Sequence, residues 1–144
     1  QMGPLFRRWL NKKALGLEPI RMEQFIATKE NAILDAGDAE MMQFAKEQLN
    51  YNHKKGLDLI ARFNGKYVIG EAKFLTDFGG HQNAQFADAI STVETKNVKA
   101  EKIIILDGYL CSLNYSKMYE EFSEAYKDYN TMSVLVLRDF LYQV

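Results

Sequence analysis

Two periodicities divide the chain. From Leu57 to Phe74 apolar and polar residues tend to alternate on either side of Asn64-Gly65, as in an antiparallel hairpin closed by a two-residue turn. Elsewhere apolar residues return every three or four positions, the spacing of one helix face. Pro4 near the start and Gly16 near the end bracket a first helix whose Leu5, Trp9 and Leu10 form one apolar stripe. Residues 21–36 read as a second helix, with Met22, Phe25, Ile26 and Ile33 at helical spacing and Gly37 as the C-cap glycine. Asp38 is the expected N-cap of a third helix running to about Leu49, with Met41, Phe44, Ala45 and Gln48 or Leu49 turned inward. Glu40 and Glu47, seven apart, share one face of it.

Beyond the hairpin, His81 to about Lys96 reads as helix, Lys102 to Asp107 as a short buried strand, Tyr115 to Asp128 as an amphipathic helix and Ser133 to Arg138 as another strand. A strand, a long helix and a further strand make a parallel crossover. The expected fold class is therefore α/β (α+β): a mixed central sheet flanked by helices, in a single domain over 1–144.

The 144 residues suffice for one core. The longest apolar stretches, Ile103 to Leu106 and Val134 to Leu137, fall far short of the roughly 20 residues a membrane span needs. Gln1 to Leu10 has no apolar run ahead of a small-residue cleavage site, so neither a membrane nor a secretory route is expected. The single cysteine, Cys111, cannot close an internal disulfide and fits a reducing cytoplasm. A formal net charge of −1 makes any nucleic-acid contact a local matter. Two basic clusters, Arg7, Arg8, Lys12 and Lys13, and His53, Lys54 and Lys55, are of a kind more often solvated than ligand-bound.

The hairpin carries the chemistry. With Asn64 and Gly65 as the loop, Phe63 pairs with Lys66, and counting back along both arms places Asp58 directly opposite Glu71. Opposed side chains have Cβ atoms about 4.5–5.5 Å apart, where like charges destabilise a sheet. Lys73, two residues beyond Glu71, shares that face. Two close carboxylates are a seat for Mg²⁺, which takes one or two protein carboxylates and completes its octahedron with water and substrate phosphate. A neighbouring lysine can position the nucleophile or stabilise developing negative charge. The plainer reading is an ion-paired triad on a half-exposed sheet face.

Glu40 or Glu47 could offer the same metal a third carboxylate. After the second arm comes Asp77-Phe78-Gly79-Gly80-His81-Gln82-Asn83-Ala84-Gln85, whose glycines let backbone approach a ligand where a helix begins. Gln82, Asn83 and Gln85 are side chains of the type that read adenine edges, and His81 suits a phosphate. An ordinary polar loop would have the same composition. Nucleophilic catalysis has no support, because Cys111 is isolated and His53 and His81 lack an evident paired base. His53 reads as an exposed loop residue.

These residues resemble the PD-(D/E)xK nuclease superfamily, with Gly56-Leu57-Asp58 supplying the first acid and Glu71-Ala72-Lys73 the second acid and the lysine. The longer run from Lys55 to Asp58 and from Gly70 to Phe86 resembles a group of type II restriction endonucleases. The likeness extends to Ile105-Leu106-Asp107-Gly108, to Leu135 through Leu141 and back to Gly3 through Leu10. Leu57 stands where the motif has proline and leaves the acid in place. The resemblance implies a helix carrying an acid, an active-site hairpin at 57–74, and Mg²⁺-dependent hydrolysis of double-stranded DNA at a specific short sequence, leaving 5′-phosphate ends. It assigns Asp58, Glu71 and Lys73 to catalysis, with Asp58 and Glu71 at the metal; position and side-chain chemistry add Glu40 to the catalytic set and give His81, Gln82, Asn83 and Gln85 to DNA. Such enzymes usually carry further sequence for base recognition, so 1–144 fits either a whole enzyme or a core of a longer one. Cutting both strands of a symmetric site calls for a homodimer. A repair or junction-resolving nuclease is the second reading. A non-catalytic DNA-binding module is the third, though it would have no reason to tolerate opposed carboxylates.

Overall fold

In the computed structural model, residues 2–53, 56–75, 90–108 and 130–144 are described. They form α1 (Met2–Asn11), α2 (Met22–Ala27), β1 (Ala32–Ile33), α3 (Asp38–Leu49), β2 (Leu59–Phe63), β3 (Lys66–Leu75), a helical segment at 90–94, β4 (Glu101–Gly108), β5 (Asn130–Ser133) and α4 (Val134–Gln143). The strands build one sheet in the order β1-β2-β3-β4-β5. β1, β2 and β3 pair antiparallel, whereas β3, β4 and β5 pair parallel. The sheet is mixed, as the hairpin and the crossover pattern require.

Both faces of the sheet are covered, so β2 is buried along its whole length. One face turns Leu59, Ala61, Phe63, Val68, Ala72, Ile103 and Ile105 against Phe6 and Leu10 of α1 and Leu137 and Leu141 of α4. The other turns Ile60 and Ile69 against Phe25 of α2, Met41, Phe44, Ala45 and Leu49 of α3, and Tyr51. Since β3 alternates its side chains, Glu71 and Lys73 share the face of Ile69, the one that α3 covers.

Four expectations are corrected. The helix expected over 21–36 ends at Ala27, and Ala32 and Ile33 pair instead with Arg62 and Ala61 of β2. Arg62, only 5% exposed, explains the early stop: it donates to the carbonyls of Phe25 and Glu30 and lies 4.5 Å from the Phe25 ring centroid. Gly37, expected to close that helix, is the N-cap of α3, with Asp38 its first helical residue. In α1 the buried stripe is Phe6 and Leu10, while Leu5 is 54% exposed.

The fourth correction concerns Ser133 to Arg138. The strand there is Asn130–Ser133, and Val134 begins a helix. Leu137 and Leu141 are fully buried one turn apart while Val136 is exposed, a helical burial pattern that a short apolar run cannot announce. Of the helix expected from His81 to Lys96, only 90–94 and the turn that ends it are described. The helix expected at 115–128 lies outside the described residues. No described helix is long and apolar enough to cross a membrane.

Candidate active site

Asn64 and Gly65 both take positive φ, 56° and 76°, as a two-residue hairpin turn demands. That turn fixes the register from Phe63↔Lys66 to Leu59↔Gly70. One step further the ladder departs from the count that placed Asp58 squarely opposite Glu71. The Asp58 N–H donates to Gly70 O at 2.9 Å, so Asp58 and Leu59 both face Gly70, as in a β-bulge. The bulge re-aims the side chain. Asp58 Oδ2 accepts from the Ala72 N–H at 2.8 Å, bringing the carboxylate onto the β3 backbone beside Glu71.

Glu71 is 6% exposed, and both its oxygens are engaged. Oε1 pairs with Lys73 Nζ at 3.0 Å. Oε2 accepts from the Thr92 hydroxyl at 2.8 Å, and Thr92 Oγ1 accepts in turn from the Tyr51 hydroxyl at 3.5 Å. Tyr51 and Thr92 are themselves fully buried. Glu71 is therefore a buried carboxylate, while Asp58 and Lys73 beside it are half-buried.

Burial is the largest influence on Asp58 and pushes its carboxyl above the ordinary aspartate value; the Ala72 N–H opposes this, Glu71 adds to it, Lys73 opposes it, and Asp38 adds to it. Burial likewise raises the Tyr51 hydroxyl; Thr92 opposes the shift and the Glu71 charge adds to it. The site therefore holds two close carboxylates in a poorly solvated place, with Lys73 as the neutralising charge.

Of the residues singled out from sequence, Asp58, Glu71 and Lys73 come together. Glu40 and Glu47 do not join them: they line a groove with Met22, Ile26, Gln43, Phe44 and Gln48. Glu40 lies two positions beyond Asp38, which turns it about 160° around the helix from the α3 acid whose charge Asp58 feels. Asp38 is exposed and pairs with Arg7 at 3.4 Å. His81, Gln82, Asn83 and Gln85 lie outside the described residues. His53, expected to be exposed, is half-buried and stacks on Tyr51 with ring centroids 6.0 Å apart.

Thr92 and Tyr51 escaped the sequence reading. Thr92 sits among Ile90 and Val93 in an unremarkable helical stretch, and Tyr51 follows a helix end; no spacing ties either to Glu71. From sequence Asp38 reads only as a helix cap.

The donors fit a divalent cation. Among the described residues no group of three or more His, Cys, Asp and Glu forms a metal cluster. Asp58 nevertheless has only Oδ2 hydrogen-bonded among the described residues, and its carboxyl feels the repelling charge of Glu71. Each Glu71 oxygen retains a lone pair beyond its one hydrogen-bond partner. Two carboxylates are what Mg²⁺ ordinarily takes from protein.

A family model described as Tsp45I type II restriction enzyme matches residues 1–144. No curated protein and no solved structure matches the chain.

Proposed function

The chain belongs to the Tsp45I type II restriction enzyme family, and from that premise we propose that it cuts both strands of double-stranded DNA at a specific short sequence, using Mg²⁺ held by Asp58 and Glu71. The supporting observation is a buried Glu71 held between Lys73 and Thr92 beside a desolvated, mutually repelling Asp58. A purely structural site gains nothing from that repulsion. Family membership also favours restriction over the junction-resolving reading.

When bound, Mg²⁺ supplies Lewis-acid stabilisation of negative charge on a phosphodiester. The protein's own groups do the rest. Asp58, fixed through Oδ2 on the Ala72 N–H, presents its other oxygen. Glu71, gripped at both oxygens, presents a carboxylate that does not rotate. Lys73 Nζ brings a positive charge and hydrogen-bond donors to the same place, able to orient an attacking water and to stabilise the charge that builds on phosphate oxygens. The products would be 5′-phosphate ends.

The side-chain chemistry of Gln82, Asn83 and Gln85, which follow β3 in the chain, assigns them to base reading and His81 to a phosphate contact. From α3, Asp38 rather than Glu40 is the acid that acts on the site. Two strands call for two such sites, hence a homodimer.

The test is plasmid DNA incubated with the protein and Mg²⁺, beside Asp58→Ala, Lys73→Ala and an EDTA control, with the ends of any fragments mapped. Discrete fragments that vanish in all three controls are expected, the variants losing at least about 100-fold in rate. Cleavage that survives EDTA or Asp58→Ala would overturn the assignment.

A further inference from the structure

We infer that Thr92, backed by Tyr51, is a positioning residue that fixes the Glu71 carboxylate for cation binding. The inference rests on Glu71 being a ligand and goes beyond that reading by naming what orients it. A hydroxyl has one proton to give. Thr92 spends it on Glu71 Oε2, and the Tyr51 hydroxyl occupies an acceptor lone pair of Thr92, so the chain runs in one direction from Tyr51 to Thr92 to Glu71. Among the described residues this leaves Oε1 to Lys73. Without the Thr92 hydroxyl, Glu71 would be free to turn both oxygens toward Lys73, closing the ion pair at the expense of the cation.

The fold gives this chain a rigid base. Asn50 ends α3 with φ 58° and ψ 33°, which turns Tyr51 back into the core, its N–H donating to Ala45 O at 2.9 Å. The same corner grips the segment that carries Thr92. Asn50 Nδ2 donates to Asn97 O at 2.9 Å, and Lys99 N–H donates to Leu49 O at 2.7 Å. Lys102 Nζ then ties the end of that segment to β4 through Thr95 O at 2.6 Å. The end of α3 and β4 thus both hold the segment whose Thr92 bonds Glu71 Oε2. Outer partners of this kind orient metal ligands, and losing one typically costs about 10–100-fold in affinity.

The experiment is a Mg²⁺ titration of the full chain without DNA, read by calorimetry, with cleavage kinetics and metal-free melting alongside. The variants are Thr92→Val, which removes the hydroxyl at constant shape, Thr92→Ser, which restores it, and Asp58→Asn and Glu71→Gln as site controls. Expected are Mg²⁺ binding weakened about 10–100-fold in Thr92→Val, recovery in Thr92→Ser, and a fall in kcat without a matching rise in KM for DNA. Thr92→Ala serves if Thr92→Val does not fold. Thr92→Val binding Mg²⁺ like the native chain while Glu71→Gln has lost it would overturn the positioning role alone, as would a lowered Tm with unchanged affinity. Native-like binding by Asp58→Asn and Glu71→Gln would remove the ligand assignment beneath it.

Discussion

At Asp58 the demands of stability and of chemistry pull apart. Burial and the Glu71 charge hold its carboxyl above the ordinary value of 3.8, so the folded protein binds a proton there more readily than the unfolded chain does. The stability this confers is complete below 3.8 and is lost as pH rises through the raised folded value. At neutral pH the ionised group is a liability. Asp58→Asn keeps an oxygen for the Ala72 N–H and removes the repulsion. In EDTA at pH 7 it should melt higher than the native chain, by about 0.5–1 kcal/mol or roughly 2–4 °C, while losing cleavage. The advantage should shrink as pH falls through the raised folded value, below which the native carboxyl is protonated as well. Millimolar Mg²⁺ should raise the Tm of the native chain and leave Asp58→Asn unmoved. A variant that melted lower at pH 7, or responded to Mg²⁺ like the native chain, would show that the carboxylates are not the strained pair described.

At the scale of elements, the site depends on how closely β3 approaches β4. Gly70 pairs with Ile103, and a Cβ at Gly70 would lie 2.8 Å from Ile103 Cγ1, a contact real Cβ atoms essentially never make. Gly70→Ala should cost about 1–3 kcal/mol, read by urea unfolding. It should also lower cleavage in the surviving folded fraction, because Gly70 O receives the Asp58 N–H that defines the bulge. In α4, Leu137→Ala should cost about 2–5 kcal/mol, whereas Val136→Ser should fall within about 0.5 kcal/mol of native. The same measurement on both separates the helix from the expected strand, because in a sheet covered on both faces these two neighbours would both be buried and both changes costly. Asn64-Gly65 made the hairpin and its register legible as far as Leu59, since turn chemistry is local. The bulge at Asp58 was not legible, because it depends on a side chain bonding backbone across the strand pair. The end of α2 was hidden for a similar reason: Arg62, far along the chain, takes up the Phe25 carbonyl in its last turn and the Glu30 carbonyl just beyond it. The carboxylate pair was visible through spacing on one hairpin, while Thr92 and Tyr51 reach it only through tertiary packing.

At the scale of the whole molecule, the proposed homodimer makes a claim that one chain's geometry does not. Asp58, Glu71 and Lys73 come together once per chain, and under the proposed function one such site would cut one strand. If two chains act together across a twofold axis, supercoiled plasmid should pass to linear with little nicked circle. Asp58→Asn assembled with native chain should then give mixed dimers carrying a single working site. With the variant in large excess, nearly every active dimer is of that kind, and nicked circle should accumulate as the main product. Because Asp58→Asn leaves the fold and its surfaces in place, the change in product would report assembly and not unfolding. Native chain producing nicked circle by itself, at a rate indifferent to added Asp58→Asn, would mean that each chain works alone and cuts the two strands in separate encounters.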